Sequence, residues 1–273
     1  MKPSLKARLA AGEAVFGSFV FLPSPDIVEI MGLAGFDYVI IDLEHSPKSW
    51  DAVANMIRAA ELHGVAPLVR VRENSEKEIL EVLELGAEGV VVPFVRSADD
   101  MRRAAAAMHY PPLGSRGTCT LTRAARYGGL RSAFVEHTQR QNERLVMVAQ
   151  IEDAAGVDNI GDILDCDPGA DVVMIGRADL ASALGCAGQV DDPRVVQATR
   201  QIIDAARNHA RRSIRTGIGI YAPNDAAQWI DCGCRFFFYS ADTLMMLNAA
   251  TAAQQSFRTA ITAHEATAAK RSE

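Results

Sequence analysis

The sequence lacks both a long apolar run and a cluster of basic residues. It has 273 residues and a formal charge of −6, and no apolar stretch approaches the roughly 20 residues that cross a bilayer. Lysine and arginine are scattered, which argues against nucleic acid or an anionic membrane as a partner. The amino terminus is basic, but Glu13 interrupts any core typical of a secretion signal. These absences favour a cytoplasmic protein.

The spacing of cysteine and histidine does not indicate disulfide bonds or a structural zinc site. The cysteines form no C-x-x-C pair, and their odd number does not suggest a disulfide framework. No group of histidine and cysteine has the spacing of a structural zinc site. A reducing compartment is the simplest interpretation. The five cysteines are Cys119, Cys166, Cys186, Cys232 and Cys234.

What the sequence does contain is an alternation of short apolar runs and amphipathic stretches, which predicts alternating strands and helices. Eight of each is the count of an α/β protein with a (β/α)8 TIM barrel. A doubly wound open sheet is the alternative, but the turn "FVFLPSPD" after the first run lacks the glycine-rich loop that such sheets more often carry. The predicted strands are 15–21, 38–44, 66–71, 89–95, 145–152, 171–178, 216–222 and 235–241.

The alternation predicts one barrel domain over residues 1–263. About thirty residues, roughly 113–144, interrupt it, and a segment of that length is usually functional or contains its own helix. Residues 264–273 form a polar tail that we expect to fray. Ser75 followed by Glu78 is typical of a capping box at a helix start.

Polar residues concentrate where the predicted strands end. In a barrel the carboxyl ends of the strands meet at one mouth, which is where chemistry takes place. Each residue alone has a plainer explanation, since Asp179 could cap a helix and only one of Arg70 and Arg72 can point inward. Their concentration at one end nevertheless favours an active site. The set is Asp42, Glu44, His45, Arg70, Arg72, Gln150, Glu152, Arg177, Asp179, Tyr221, Ser240 and Asp242.

Glu152 and Asp179 are the candidate metal ligands. They follow neighbouring predicted strands, so their carboxylates could approach one another. Two carboxylates with open positions suit Mg²⁺ or Mn²⁺, which keep bound waters and accept substrate oxygens. Spacing alone leaves a structural pair equally open.

Seven motifs resemble, in order, those of the class II (metal-dependent) 2-oxo-acid aldolases. This family includes 4-hydroxy-2-oxoheptanedioate and 5-keto-4-deoxy-D-glucarate aldolases and lies in the phosphoenolpyruvate/pyruvate barrel superfamily. The resemblance implies a barrel whose eighth helix is exchanged between subunits of a homo-oligomer, a hexamer or trimer of dimers. The motifs are "FDYVIIDLEHSP", "PLVRV", "GVVVPFV", "YPPLGSRG", "RAARYG", "VAQIE" and "IGRADLASALG".

The resemblance also implies a role for each substrate-binding residue. Glu152 and Asp179 would bind Mg²⁺ or Mn²⁺, with Co²⁺ also possible. Gln150 and the backbone amides of Ala178 and Asp179 would hold the carboxylate of a 2-oxo acid. Arg70 would contact the 2-oxo oxygen and stabilise an enolate.

His45 would manage proton transfer, oriented by Asp42 and by Glu84 on the third helix. The implied activity is that of a carbon–carbon lyase: reversible aldol cleavage of a 4-hydroxy-2-oxo acid to pyruvate and an aldehyde through a metal-stabilised enolate. A Schiff-base aldolase would need a lysine at a strand end, and no predicted strand has one there.

Two alternatives remain open. Some members of the group condense oxaloacetate with acetyl-CoA, as in siderophore citrate synthesis, or decarboxylate oxaloacetate. A barrel kept as an inactive scaffold or sensor is the other. Three departures from the family pattern bear on this choice: Glu84 replaces an aspartate, Arg177 a proline and Ser240 a frequent glycine. Arg177 points either to a more anionic substrate or to an outward ion pair.

Overall fold

The computed structural model describes residues 3–210, 214–222 and 224–271. Within them, eight parallel strands pair in sequence order and the first pairs with the last, which closes a barrel. The predicted α/β TIM barrel is therefore confirmed. The strands are β1 Val15–Val20, β2 Tyr38–Asp42, β3 Ala66–Arg70, β4 Gly89–Val92, β5 Val146–Ile151, β6 Val172–Ile175, β7 Arg215–Ile220 and β8 Phe236–Ala241.

The same residues form twelve α-helices, none of them long and apolar enough to cross a membrane. Sequence reasoning did not single out α1, whose Leu5 and Leu9 are buried against the barrel interior. The helices are α1 Leu5–Ala10, α2 Pro25–Leu33, α3 Trp50–His63, α4 Glu76–Glu84, α5 Ala98–Met108, α6 Phe134–Arg144, α7 Ala154–Asp158, α8 Ile160–Leu164, α9 Arg177–Ala183, α10 Pro193–Arg207, α11 Asp225–Cys232 and α12 Asp242–Arg271.

Two apolar layers hold the barrel together. Alternation along each strand sends one set of side chains into the barrel, including Tyr38, Leu68 and Phe236, and the other set outward beneath the helices. The Tyr38 and Phe236 rings stack at 4.2 Å, and the Tyr38 hydroxyl donates to the Phe237 carbonyl at 2.7 Å. The interior is thus packed solid, and the strand ends are held in fixed positions.

Local signals in the sequence set the helix limits. Ser49 Oγ accepts the Ala52 N–H at the start of α3, and Gly64 ends that helix in the left-handed region at φ +66°. Ser75 caps α4 as predicted, since its Oγ accepts the Glu78 N–H at 3.4 Å. The return bond of a capping box is absent, because the Glu78 carboxylate accepts the Arg72 N–H at 3.2 Å instead.

The segment 113–144 contains two short 3-10 turns and α6. It packs at the amino ends of the strands, where the Ala124 N–H donates to the Glu84 carbonyl at 3.1 Å. Helices run antiparallel to the strands, so Glu84, the last residue of α4, also lies at this end. The segment therefore covers the end of the barrel opposite the mouth.

Helix α12 leaves the barrel after its first turns and continues to Arg271, so residues 264–271 of the predicted tail are helical. Apart from Met245, which packs against the core, most of its large apolar side chains stay in solvent, with Met246 55% and Phe257 64% exposed. Between α2 and α11, over β8 and β1, an apolar groove of about 510 Å³ remains, lined in part by Phe16 and Tyr239. The barrel's last helix thus leaves this face of its own barrel uncovered.

Candidate active site

Asp42, the last residue of β2, is fully buried and organises the mouth of the barrel. Its Oδ1 accepts from Arg70 Nε at 2.6 Å, across the register pair that joins β2 to β3. Its oxygens also accept the backbone N–H groups of Glu44 at 3.2 Å and His45 at 3.1 Å. One carboxylate therefore fixes both a guanidinium and the loop that follows the strand.

Arg70 is held on three sides. Besides the bond to Asp42, its Nη1 lies 3.0 Å from Glu44 Oε2, and its guanidinium lies 4.5 Å from the centre of the Phe19 ring. Arg72 points the other way, with Nε 3.3 Å from Glu78 Oε1. The strand thus sends one arginine inward in a fixed orientation, with Nε and Nη1 held by carboxylates.

The His45 imidazole is exposed at the mouth, and its Nε2 lies 3.8 Å from Glu44 Oε2. Asp42 contacts His45 through the backbone N–H, so it positions the loop and not the ring. Sequence reasoning missed Lys48. Its Nζ donates to the Asp42 carbonyl at 2.6 Å and to Ser46 Oγ at 2.9 Å, which ties the loop carrying His45 to the strand end.

Glu152 follows β5 and is almost fully buried. Its Oε1 accepts the Phe94 N–H at 2.9 Å, and its Oε2 accepts from the Gln150 side-chain amide. Burial, followed by the nearby charges of Glu44 and Asp179, raises the pKa of Glu152 to about 7, although its hydrogen bonds oppose that shift. The groups that donate hydrogen bonds to this carboxylate, a backbone N–H and a side-chain amide, are both uncharged.

Phe94, which supplies that N–H, has φ +49°, a conformation that costs a residue other than glycine about 1 to 2 kcal/mol. Such strain persists where surrounding contacts determine the backbone, often at functional sites. Here it aims a backbone donor at Glu152. Sequence reasoning did not identify this residue.

Asp179 lies in the first turn of α9, and its charge helps to raise the pKa of Glu152 and, less strongly than burial does, that of Glu44. Gly176, just before the helix, was also missed. A Cβ there would lie 2.5 Å from Glu152 Oε2 and 2.7 Å from Glu152 Cβ, closer than atoms can pack. Gly176 therefore makes room for the Glu152 carboxylate beside α9.

The residues present fit a divalent cation of the Mg²⁺ type. Among the described residues, no three Asp, Glu, His or Cys side chains form a closed cage. Mg²⁺ commonly uses only one or two carboxylates and keeps its other positions for water and substrate oxygens. Gln150 Oε1 is buried without a hydrogen-bond partner among those residues, and Glu152 carries an unbalanced charge. Glu152 and Asp179 thus suit an open metal site.

Glu84 is not brought to the mouth in this chain. It lies at the opposite end of the barrel, where its Oε1 accepts from Arg116 Nη2 at 2.8 Å. Arg116 is fully buried and lies 4.4 Å from the centre of the Tyr110 ring. Within one protomer Glu84 thus pairs with the segment 113–144 and is remote from His45.

Arg177 is engaged by β7 and α11. Its Nη2 donates to the Gly219 carbonyl at 3.0 Å, its Nη1 lies 3.7 Å from Asp191 Oδ1, and its guanidinium stacks over the Tyr221 and Trp229 rings. Of the two explanations offered by the sequence, the structure shows the outward ion pair.

The end of β8 is occupied by structural contacts. The Asp242 carboxylate accepts the N–H groups of Phe21 at 2.8 Å and Leu22 at 2.9 Å, which joins β8 to the loop after β1. Ser240 has φ +54° where the register between β1 and β8 shifts by one residue. A left-handed backbone of this kind favours glycine, the residue that the resemblance implies here.

Comparison with known proteins identifies a family and similar structures. Residues 16–249 match the profile of the HpcH/HpaI aldolase/citrate lyase family. A 5-keto-4-deoxy-D-glucarate aldolase of Salmonella paratyphi C (strain RKS4594) is 34% identical over 239 residues, 87% of this chain and 90% of the relative.

Two solved structures superpose over nearly the whole chain. A family protein from Burkholderia cenocepacia J2315 has a TM-score of 0.86 and 31% identity, covering 93% of this chain and 98% of that one. Citrate synthase SbnG has a TM-score of 0.85 and 28% identity, covering 94% and 98%. On the family profile and these relatives, the chain belongs to the HpcH/HpaI aldolase/citrate lyase family, with the barrel fold of the phosphoenolpyruvate/pyruvate superfamily.

Proposed function

We propose that the protein cleaves a 4-hydroxy-2-oxo acid reversibly to pyruvate and an aldehyde. The observation that carries this proposal is a guanidinium, Arg70, fixed by two carboxylates at the same mouth as the Glu152–Asp179 pair. Cleaving the bond beta to a carbonyl leaves its electron pair on the 2-oxo oxygen as an enolate. Positive groups held in advance at that oxygen lower the barrier. The similarity to 5-keto-4-deoxy-D-glucarate aldolase supports the same class of reaction.

Glu152 and Asp179 would hold Mg²⁺ or Mn²⁺, with Co²⁺ a further candidate. A bound divalent ion would polarise the 2-oxo group and supply positive charge beside the developing enolate. The Gln150 side chain and the backbone N–H groups of Ala178 and Asp179 would bind the carboxylate of the substrate. Gln150 is already oriented by its bond to Glu152, so binding would cost little further ordering of this side chain.

Arg70 would donate an N–H to the 2-oxo oxygen. Its Nε and Nη1 are directed at Asp42 and Glu44, so the guanidinium needs no reorientation as charge develops. His45 would accept the proton of the 4-hydroxyl group as the C3–C4 bond breaks and return it in the condensing direction. Its exposed ring at the mouth suits exchange with an entering substrate. Glu84 could assist His45 only from another copy of the chain.

Condensation of oxaloacetate with acetyl-CoA, or decarboxylation of oxaloacetate, is the second candidate. The likeness to citrate synthase SbnG over 94% of this chain favours it specifically. Both reactions also proceed through an enolate, so Arg70 and the carboxylate pair would serve them in the same way. In the condensation, His45 would be placed to take a proton from the acetyl methyl group.

The two candidates are separated by product analysis. The purified protein is incubated with Mg²⁺ or Mn²⁺ and pyruvate or oxaloacetate, with a panel of aldehydes or acetyl-CoA, and the products are identified by mass spectrometry. An aldol adduct that is lost on chelation and in His45→Ala, but kept in the control His264→Ala, supports the first candidate. Citrate with release of free thiol would support the second. An aldol activity that survives chelation together with Glu152→Ala would exclude the metal site.

We propose further that α12 packs into the apolar groove of a second copy, within a hexamer or trimer of dimers. The groove lies where a barrel's eighth helix would pack, and α12 offers an apolar stripe at the spacing i, i+4, i+7, i+11. The stripe is Met246, Ala250, Ala253 and Phe257, and the opposite face carries Asn248, Thr251 and Gln255. A second copy would cover both the stripe and the groove.

A further inference from the structure

A second cavity, of about 590 Å³, lies at the end of the barrel away from the active-site mouth. One wall is the barrel itself, at the starts of β3, β4 and β5, where Pro67, Glu88 and Leu145 line it. The other wall is the segment 113–144, with Arg126, His137 and Arg140. Its volume is in the range of small-molecule pockets. In barrels the chemistry occurs at the other end, so the proposed reaction leaves this cavity without a role.

The carboxylates that line the cavity are already engaged. Glu61 is paired by Arg123, whose Nη1 donates to Glu61 Oε1 at 3.0 Å. Glu88 is paired by Arg144, whose Nη2 donates to Glu88 Oε2 at 2.6 Å. These four charges cancel in pairs, so neither carboxylate is left to balance another cation.

Two arginines of the lining remain unbalanced. Within the part of the chain that the structure describes, neither Arg126 nor Arg140 forms an ion pair, and Arg140 Nε donates only to the Glu136 carbonyl at 3.3 Å. Both side chains are exposed to the cavity or to solvent. The lining therefore carries an excess of two positive charges, which favours an anionic ligand.

A buried histidine between them lacks a partner. His137 is 4% exposed and lines the cavity, and its Nε2 has no hydrogen-bond partner among the described residues. Burial first, and then Arg116 and Arg140, lower its pKa, which favours the neutral ring. Buried polar atoms without partners are uncommon in native structures and indicate an unseen water or ligand.

We propose that this cavity binds a compact oxyanion, a phosphate or a small polycarboxylate, through Arg126, Arg140 and His137. Guanidinium groups match the paired oxygens of both anions, and a charge-assisted hydrogen bond of this kind is about twice as strong as a neutral one. A bound anion would join α6 to the starts of the barrel strands. Within one protomer the site lies at the opposite end of the barrel from the mouth, and anion binding there does not depend on the proposed reaction.

Calorimetric titration tests the proposal with inorganic phosphate and with citrate as separate probes. The buffer is free of divalent metal and held at constant ionic strength with sodium chloride. Wild-type protein should bind at least one probe saturably, one per chain. The double variant Arg126→Gln/Arg140→Gln should weaken binding by about tenfold or more, because two charged hydrogen-bond donors are lost. Both residues are exposed, so the fold should tolerate the change.

The matched control is Arg103→Gln/Arg207→Gln, which removes the same charge at exposed arginines that pair with Asp100 and Asp204. It should change the affinity for the probe by less than about twofold, because salt screens exposed charges that lie far from the cavity. Glu152→Gln should bind the probe as wild type does, and bound probe should slow hydrogen exchange in α6. Binding of phosphate alone or of citrate alone would identify the class of ligand. Absence of saturable binding to wild type, equal weakening in the control pair, or loss in Glu152→Gln would overturn the proposal.

Discussion

The two ends of the barrel carry opposite charge imbalances. At the mouth, four carboxylates are accompanied by the guanidinium of Arg70 and the ammonium group of Lys48, and the charge of Glu152 is offset by hydrogen bonds. At the amino end, three arginines lower the pKa of His137 and the Glu84 carboxylate opposes them, while Glu61 and Glu88 are already paired with Arg123 and Arg144. The mouth carboxylates are Asp42, Glu44, Glu152 and Asp179, and the arginines at the amino end are Arg116, Arg126 and Arg140.

The difference follows from topology and indicates what each end binds. Parallel strands put all carboxyl ends on one side, so loops from distant parts of the sequence converge there. An uncompensated charge near a low-dielectric interior is costly, and a ligand of opposite sign offsets that cost. The mouth therefore suits a cation and the substrate that it would polarise, whereas the amino end suits an anion.

Removing one charge at the mouth should have the largest effect. Glu152→Gln keeps the shape of the side chain but loses the charge that would hold the metal, so kcat/KM should fall by about a thousandfold. Steady-state kinetics at saturating Mn²⁺ would measure it, and Mn²⁺ should raise the Tm of wild type but not of the variant. The exposed Glu143→Gln should match wild type in both assays. A variant that keeps a tenth of the activity would contradict the role of Glu152.

Whether α12 joins two copies of the barrel is tested by a change on its apolar stripe. Phe257→Glu places a charge on the apolar stripe of α12, and a change at such an anchor should cost association about 2 kcal/mol or more, equivalent to about thirtyfold in Kd. Light scattering after size exclusion would detect the smaller species. Gln255→Glu, which makes the same charge change on the polar face, should leave the assembly intact. Equal dissociation in both variants would argue against the groove as the binding site of α12.

A steric change at the mouth should have a smaller effect on kcat/KM than the loss of the Glu152 charge. Gly176→Ala puts a Cβ within 2.5 Å of Glu152 Oε2, and the resulting shift of about 1 Å in a ligand should lower kcat/KM by about a hundredfold at most. Half-saturating Mn²⁺ concentrations would report the displaced ligand. Gly161→Ala, in α8 where an added Cβ meets nothing within 4 Å, should leave activity unchanged and stabilise the protein by up to about 1 kcal/mol. Equal kinetics in the two variants would contradict the close approach.

Thiol reactivity should give the smallest and most local readout. Cys119 is exposed in the segment 113–144, whereas burial raises the pKa of Cys234 to about 11. Because the thiolate is the reactive form, Cys119 should be alkylated first at pH 8, and Cys234 only on unfolding. Peptide mass spectrometry after timed alkylation would show the order. Early labelling of Cys234 would indicate that the amino end is packed more loosely than the structure shows.

The sequence predicted the barrel because its signals are local. Apolar runs and caps such as Ser49 and Gly64 act within a few residues, and their order alone defines the topology. The mouth was predictable for the same reason, since strand ends locate Asp42, Arg70 and Glu152 without knowledge of their contacts. The chain's membership in the family, inferred from its motifs, was confirmed by the comparisons.

Partners of side chains could not be predicted in the same way. Asp42 holds the Arg70 guanidinium and contacts His45 only through the backbone. Which of these partners the carboxylate meets depends on the side-chain rotamers. The outward turn of Arg177 toward the Gly219 carbonyl depends on packing against Trp229. The roles of Phe94 and Gly176 arise from their backbone positions. Their only sequence signal is that each follows a strand that neighbours β5, the strand that Glu152 follows. Whether Glu84 acts with His45 stays a prediction, because it requires a second copy.

The bare backbone at Gly176 also restricts how this barrel can evolve. Every missense change of that codon adds a Cβ, and each would meet the Glu152 carboxylate at the same 2.5 Å. As long as Glu152 keeps its position, selection should remove all such alleles, whatever the size or polarity of the new side chain. A lineage that abandoned the carboxylate would be released from this constraint. A residue other than glycine at this position would therefore mark a descendant that has left the ancestral chemistry.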